Sequence, residues 1–127
     1  MELPEQIRPL PNYDQAIIDT AKFTEYSMNP HHPENQGKAD GFKQLSYDVD
    51  TSEGRIAAMQ DVVAQLRAKL QESPAILSRQ TFYGLRYEVR TEIVGPNGKT
   101  GTLVTLWQYD IGTLVPRLVT NWLEVHK

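Results

Sequence analysis

The chain is 127 residues long, carries a formal net charge of −3 and contains no cysteine, with 39% hydrophobic and 23% charged residues. These values are typical of one folded domain, and they exclude disulfide scaffolds, thiolate metal sites and cysteine nucleophiles. The acidic balance argues against a scaffold that holds nucleic acid by neutralising many phosphates, but less against an enzyme that contacts few. No apolar run approaches the ~20 residues of a membrane helix and no secretory signal is apparent, so we expect a cytoplasmic protein without a membrane partner.

The first half of the chain is predicted to be helical. Residues 1–12 are rich in proline and are expected to form an extended arm, which leaves residues 13–127 as the single domain. A short helix is predicted over "AKFTEYSM" and ends at Asn29-Pro30, because a residue before proline avoids the helical conformation. A second short helix is predicted over "GKADGFKQL", although Gly41 weakens it by about 1 kcal/mol relative to alanine.

The clearest helix is predicted over "TSEGRIAAMQDVVAQLRAKLQESP". Thr51 or Ser52 can cap its first turn, and Ser73-Pro74 ends it. Apolar residues at spacings of three and four form one face, which comprises Ile56, Met59, Val62, Val63, Leu66 and Leu70.

The second half is predicted to form antiparallel strands. "TFYGLRYEVRTEIVG" alternates apolar and charged residues with the period of a half-buried strand, and "TLVTLWQYD" is its hairpin partner across the turn "GPNGKTG". "LVPRLVTNWLEV" is predicted as the last strand, with Pro116 at an edge, a strand start or a bulge. Helices followed by strands predict an α+β fold, with about three N-terminal helices packed on an antiparallel sheet of three to four strands.

Cofactor and metal sites are not indicated by the motifs. His31 and His32 are adjacent, and neighbouring side chains rarely point at one metal centre, while His126 lies near the C-terminus. The sequence contains no G-x-G-x-x-G, no phosphate-binding G-x-x-x-x-G-K-[ST] and no G-x-S-x-G. We therefore expect no metal and no cofactor.

General acid–base chemistry without a cofactor remains open. The loop histidines can titrate near neutrality, and Thr105 or Thr120 can donate to the oxygens of a pentavalent phosphate. The cations that can stabilise this phosphate are Lys38, Arg86, Arg90 and Arg117. A metal-free ribonuclease uses such a set when the RNA 2′-hydroxyl attacks its own phosphate. A plainer interpretation also stands, in which these are solvated loop, helix and strand residues.

The order of motifs resembles a bacterial family of small domains of unknown function. The stretches that carry the resemblance are "HHP", "GKADGF", "YGLRY", "GPNG", "TLW" and "PRLVT", and together they span about residues 13–122. The same pattern is similar to the C-terminal tRNA-nuclease toxin domains of contact-dependent inhibition and other polymorphic toxins. The folds of those domains place them with the barnase, EndoU, colicin and RelE-like ribonucleases.

The resemblance implies a set of site residues. The catalytic candidates are His32, Lys38, Arg117 and Thr120. The substrate-binding candidates are Lys22, Tyr83, Arg86, Tyr87, Thr105 and Trp107, of which Arg86 rests on its charge alone. In this scheme His32 acts as general base or acid, Lys38 and Arg117 stabilise the phosphate, and Thr120 donates a hydroxyl.

Two functional hypotheses follow. The favoured one is a metal-independent endoribonuclease, directed at tRNA and related to toxins, that forms a 2′,3′-cyclic phosphate. The alternative is a non-catalytic binding module of the same fold that works with a partner encoded by a neighbouring gene, such as a cognate immunity or antitoxin-like protein. If the four catalytic candidates converge on one cleft, the ribonuclease is favoured, whereas an acidic cleft or divergent side chains favour the module.

Overall fold

Helical segments precede four strands along the chain in the computed structural model, which describes residues 8–126. The helical elements are a 3₁₀ turn at Tyr13–Gln15, a π-helical segment at Lys22–Ser27, helix α1 at Lys38–Gln44, helix α2 at Ser52–Lys69 and a second 3₁₀ turn at Leu70–Glu72. The strands are β1 (Ala75–Thr81), β2 (Gly84–Val94), β3 (Thr100–Asp110) and β4 (Arg117–Val125). They form one antiparallel sheet in the order β1-β2-β3-β4, which confirms the predicted α+β fold.

The sheet has one side covered by helices and one open side. Alternation along β2 and β3 places Val89, Leu103 and Trp107 against the helices, all fully buried, as the apolar–polar pattern predicted. The structure differs from the prediction at "TFYG", which was assigned to one strand together with the residues that follow it. β1 ends at Thr81 and β2 begins at Gly84, because the chain turns there with a φ of 130° that favours glycine.

Helix α2 packs its buried residues against the sheet and begins as predicted. The Thr51 hydroxyl accepts a hydrogen bond from the Gly54 amide at 3.0 Å, which caps the first turn. Val62 and Leu66 are fully buried, whereas Ile56 of the predicted apolar face is 48% exposed. No helix within residues 8–126 is both long and apolar enough to cross a membrane.

The part of the N-terminal arm that the structure describes lies on the domain. Leu10 is buried, the Arg8 carbonyl accepts from the Ala75 amide at 2.7 Å, and the Pro11 carbonyl accepts from the Tyr109 hydroxyl at 2.6 Å. Residues 1–7 of the predicted arm lie outside the described residues.

Strand β4 is an edge strand, and both α1 and the π-helical segment pack against it. At Gly41 a Cβ atom would lie 2.7 Å from the Leu123 carbonyl oxygen, so the glycine that weakens α1 allows its close approach to β4. The register places Leu118 opposite Trp107 and Thr120 opposite Leu106, which leaves Val119 as the extra residue of a bulge. Pro116 directly precedes the strand, at one of the predicted positions.

Candidate functional site

A cleft of about 510 Å³ lies between the π-helical segment and the bulge of β4. Its walls include Asp19, Lys22, Glu25, Tyr26, His32 and Thr120. Three predicted site residues, Lys22, His32 and Thr120, therefore share one cleft although they are far apart in the sequence.

Two asparagine side chains hold the walls of the cleft together. Asn121 is fully buried, accepts a hydrogen bond from the Ser27 hydroxyl at 2.7 Å and donates to the Lys22 carbonyl at 3.2 Å. Asn35 donates to the Tyr26 and Ser27 carbonyls at 2.6 and 3.2 Å. These bonds fix the π-helical segment to β4 on one side and to the histidine loop on the other.

Neither asparagine was selected from the sequence. Asn35 lies in a polar loop, where the residue type alone does not indicate burial. Asn121 offered one signal, because it is a polar residue at a helix-facing position of a strand, opposite Thr105. A polar group buried there needs a partner, and Ser27 and Lys22 supply one each.

The first wall of the cleft is anchored by backbone pairing ahead of the π-helical segment. Ile17 donates to the Pro116 carbonyl and accepts from the Leu118 amide, each at 2.9 Å. This short parallel bridge adds one residue to the free edge of β4. Asp19 lies two residues after Ile17, and its carboxylate accepts from the Ala21 amide at 3.0 Å.

His32 and Lys38 meet at Tyr26. The rings of Tyr26 and His32 pack edge to face, with centroids 5.2 Å apart. The Lys38 ammonium donates to the Tyr26 hydroxyl at 2.6 Å and lies 4.3 Å from the centre of its ring. Lys38 is thus adjacent to the cleft without being part of its wall, and Tyr26 links it to His32.

The hydrogen bonding of His32 assigns its tautomer. Nδ1 accepts a hydrogen bond from the Glu34 amide at 3.0 Å, so this nitrogen carries no proton. The proton of the neutral ring is therefore on Nε2, which makes Nε2 a donor. In this geometry the ring can donate a hydrogen bond from Nε2, whereas a general base would need a free lone pair and a general acid would need a second ring proton.

Arg117 is engaged outside the cleft. Its guanidinium donates to both carboxylate oxygens of Asp110, at 2.7 and 3.1 Å. The hydrogen bond with Asp110 raises the pKa of Arg117 above its ordinary value, and the same bond lowers the pKa of Asp110. Of the four catalytic candidates, the structure brings His32, Lys38 and Thr120 together and leaves Arg117 paired on the open side of the sheet.

Three of the predicted substrate-binding residues lie on the helix-facing side. Thr105 and Trp107 are fully buried. The Thr105 hydroxyl donates to the Val89 carbonyl at 3.1 Å and accepts from the Trp107 indole nitrogen at 2.8 Å. Tyr87 packs edge to face on Tyr109 with centroids 5.5 Å apart. The structure gives Thr105 and Trp107 a place in the core, with no surface for a substrate.

The other two candidates lie on β2 and in the turn that precedes it. Tyr83 is 77% exposed in the turn between β1 and β2. Arg86 lies on the open side, where its Nε donates to the Gln108 side-chain oxygen at 3.3 Å. Neither residue lines the cleft.

Metal ligands do not come together in the part of the chain that the structure describes. Within residues 8–126, no three histidine or carboxylate side chains are close enough to hold an ion. His126 is bound through its two ring nitrogens to the hydroxyls of Thr100 and Thr102, each at 2.7 Å.

The cleft carries both signs of charge. Asp19 and Glu25 contribute carboxylates, Lys22 contributes an ammonium, and Lys38 lies beyond Tyr26. An anion at Thr120 would therefore be attracted by two lysines and repelled by two carboxylates. The arrangement can hold one phosphate and exchange protons with it, rather than bind a long polyanion.

Sequence comparison places the chain in a family. The family described as a domain of unknown function (DUF6883) matches residues 9–125. The chain belongs to this family. The predicted membership of a family of small domains of unknown function is confirmed at this level, and no curated protein matches the chain.

A solved structure shares the fold. A chain of the contact-dependent growth inhibition toxin–immunity protein complex from Klebsiella pneumoniae 342 superposes with a TM-score of 0.58 at 17% identity. The match covers 85% of this chain and 99% of that chain. The likeness shows a common fold with a component of such a complex, and membership of the ribonuclease superfamily stays a prediction.

Proposed function

We propose that this domain is a toxin-related, metal-independent endoribonuclease that acts on tRNA at the cleft between the π-helical segment and β4. The observation that carries the proposal is the meeting of His32, Lys22 and Thr120 in one cleft, with Lys38 beside it. A hydrogen-bond donor, two cations and a hydroxyl around one phosphate can stabilise the charge that develops when the adjacent 2′-hydroxyl attacks it. The fold shared with a chain of a toxin–immunity complex supports the toxin relationship.

The proposed reaction needs no external cofactor. The 2′-oxygen attacks the adjacent phosphorus, the bond from phosphorus to the 5′-oxygen breaks, and the products are a 2′,3′-cyclic phosphate and a 5′-hydroxyl. The exposed Glu25 carboxylate accepts the proton of the 2′-hydroxyl, and the Nε2–H of His32 donates a hydrogen bond to the departing 5′-oxygen. A water molecule protonates that oxygen, and the resulting hydroxide takes the proton held by Glu25. Lys22, Lys38 and the Thr120 hydroxyl stabilise the charge that develops on the phosphate oxygens.

The non-catalytic module remains the second candidate, and two observations favour it. Arg117 is paired with Asp110 and lies outside the cleft, and Asp19 and Glu25 make the cleft less attractive to RNA. In this case the domain acts by binding a partner protein of the immunity or antitoxin type. The structural neighbour, a chain of a toxin–immunity complex, is consistent with such a partner.

The test is an assay of purified protein on a mixed tRNA pool with excess chelator. The ribonuclease proposal predicts cleavage that the chelator does not change, with fragments ending in 2′,3′-cyclic phosphate. Fragments ending in a 3′-hydroxyl would contradict the mechanism. A folded wild-type protein that leaves all tRNA intact would contradict the activity and favour the binding module.

A matched pair of lysine variants assigns the site. Lys38→Ala removes the ammonium bound to Tyr26 and is expected to lower kcat/KM about 100-fold, as loss of one transition-state donor does. Lys43→Ala is the control, because Lys43 lies on the same helix, is exposed and pairs with Asp50 at 3.0 Å. Equal activity of the two variants would remove Lys38 from the mechanism.

A further inference from the structure

A row of arginines crosses the open side of the sheet. The strand register places Arg79 opposite Arg86, Arg86 opposite Gln108, and Gln108 opposite Arg117. Residues directly opposite one another on neighbouring strands share a face, so these four side chains form one line over all four strands. The line spans three strand spacings, about 14 Å. We call Arg79, Arg86 and Arg117 the arginine row.

The row is not neutralised within the fold. Like charges directly opposite in a sheet destabilise it, yet Arg79 faces Arg86 across β1 and β2. Within residues 8–126, no carboxylate lies within 4 Å of either guanidinium, and only Arg117 has an acidic partner. The open side also carries Arg90 and four carboxylates, which are Glu88, Glu92, Asp110 and Glu124. The excess of positive charge is therefore local to Arg79 and Arg86, where it is complementary to an anionic ligand.

Exposed aromatic side chains lie beside the row, in the turn that joins β1 and β2. Phe82 and Tyr83 form the turn between β1 and β2 and are 91% and 77% exposed. The Tyr83 carbonyl accepts from the Gln108 side chain at 3.2 Å and from the Ile111 amide at 3.2 Å, so the turn is tied to the row. Exposed rings beside a basic groove are the combination that binds single-stranded nucleic acid, because bases stack on the rings and phosphates pair with the cations.

The row leads toward the cleft. Arg117 and Thr120 lie on the same side of β4, separated by Leu118 and the bulge at Val119, and Thr120 lines the cleft. A strand that crosses from the aromatic turn along the arginines therefore arrives beside Thr120. An acidic protein surface also complements arginines, but it explains neither the stacking surface nor the continuity with the cleft.

We propose that the open side of the sheet binds a single-stranded RNA segment, with its phosphates on the arginine row and its bases stacked on Phe82 and Tyr83. The inference rests on the proposed function for the identity of the ligand. It adds a substrate-positioning surface on β1, β2 and their turn, which raises affinity and directs the strand to the cleft without taking part in bond cleavage.

The binding test uses a fluorescent single-stranded oligodeoxynucleotide, which has no 2′-hydroxyl and is not cleaved by the proposed reaction. Anisotropy at about 0.15 M salt is expected to show binding by the wild type, weakened at least about fivefold in Arg86→Gln and in Phe82→Ser/Tyr83→Ser. Arg79→Gln/Arg86→Gln is expected to reduce the slope of log K against log salt by about 1.4, the value for two single-strand phosphate contacts.

Arg90→Gln is the matched control. Arg90 lies on the same strand and side as Arg86, but it pairs with Glu88 and Glu124 at 2.9 and 3.0 Å, so its charge is already used. Its loss is expected to change affinity less than about twofold. Equal loss in Arg86→Gln and Arg90→Gln would overturn the proposal, as would a folded wild type that does not bind the oligonucleotide. That second outcome would leave the row to an acidic protein partner.

Cleavage assays separate this inference from the proposed function. Arg79→Gln/Arg86→Gln is expected to raise the KM for tRNA with kcat unchanged, as loss of uniform binding does. Cleavage by this variant with wild-type KM would contradict RNA binding by the arginine row and leave the proposed ribonuclease activity unaffected. Oligonucleotide binding that depends on the row, in a protein that cleaves no RNA, would support the binding surface and contradict the proposed ribonuclease activity.

Discussion

The two sides of the sheet differ in whether the protein itself supplies partners for their polar side chains. On the helix-facing side, Trp107 donates to Thr105, and Asn121 bonds to the Ser27 hydroxyl and the Lys22 carbonyl. Within residues 8–126 no buried side-chain nitrogen or oxygen lacks a partner. On the open side, Arg79 and Arg86 face each other, and no carboxylate of the described residues pairs with either. Polar groups satisfied inside the protein maintain the fold, whereas those left with unpaired charge at the surface are available to a ligand.

The largest expected effect is on the helix-facing side. Trp107→Ala removes a fully buried indole and is expected to lower the free energy of unfolding by about 3–5 kcal/mol. Urea denaturation followed by circular dichroism measures the change. A loss below about 1 kcal/mol would contradict the assignment of Trp107 to the core and return it to the substrate-binding candidates.

Asn121→Ala tests the hydrogen bonds that hold the π-helical segment to β4. The change leaves the Ser27 hydroxyl and the Lys22 carbonyl without their partner, and we expect it to cost about 1–3 kcal/mol of stability. Because the π-helical segment carries one wall of the cleft, tRNA cleavage by the folded fraction is expected to fall about 10- to 100-fold. Unchanged cleavage per folded molecule would show that the segment need not be held to β4 for activity.

Asp110→Asn tests whether Arg117 contributes to oligonucleotide binding on the open side. The change releases Arg117 from its only ion pair within the described residues, and we expect affinity for the oligonucleotide to rise about two- to fivefold. Thr102→Val, on the same strand and side, is the control and should leave affinity unchanged. A fall in affinity would indicate that the Asp110 pair holds Arg117 in its binding position.

The same pair predicts a small acid dependence of stability. The bond from Arg117 lowers the folded-state pKa of Asp110 below its ordinary value of 3.8, so its contribution is complete above about pH 4 and is lost as the pH falls through the folded pKa. Since both side chains are exposed, the contribution is small. Wild type should therefore lose slightly more stability than Asp110→Asn between pH 4 and pH 2 in urea titrations.

Much of the fold follows from local patterns. Alternation along β2 and β3 predicted which side chains face the helices, and the cap at Thr51 predicted where α2 begins. The separate strand β1 was not predicted, because its residues are almost all exposed and show no alternation after Ala75. Its boundary with β2 depends on the turn before Gly84, which a continuous apolar–polar pattern obscures.

The site was predictable only in part, since it depends on contacts between distant segments. His32 and Lys38 were selected from one loop, but their meeting at Tyr26 is a tertiary contact. Arg117 has the positive charge that the predicted role requires, and it lies on the predicted last strand. The fold brings it to the Asp110 carboxylate, and residue type alone does not reveal this pairing. Asn121 has a role that appears only once Ser27 and Lys22 are seen beside it.

The most direct test of the cleft as the site of RNA cleavage compares two adjacent histidines. His32 lines the cleft, whereas His31 is exposed beside it, so His32→Ala and His31→Ala remove the same chemical group one residue apart. Single-turnover cleavage of tRNA in chelator is expected to slow about 100-fold or more in His32→Ala and to stay near the wild-type rate in His31→Ala. Wild-type rates in a folded His32→Ala protein would contradict this account of the cleft.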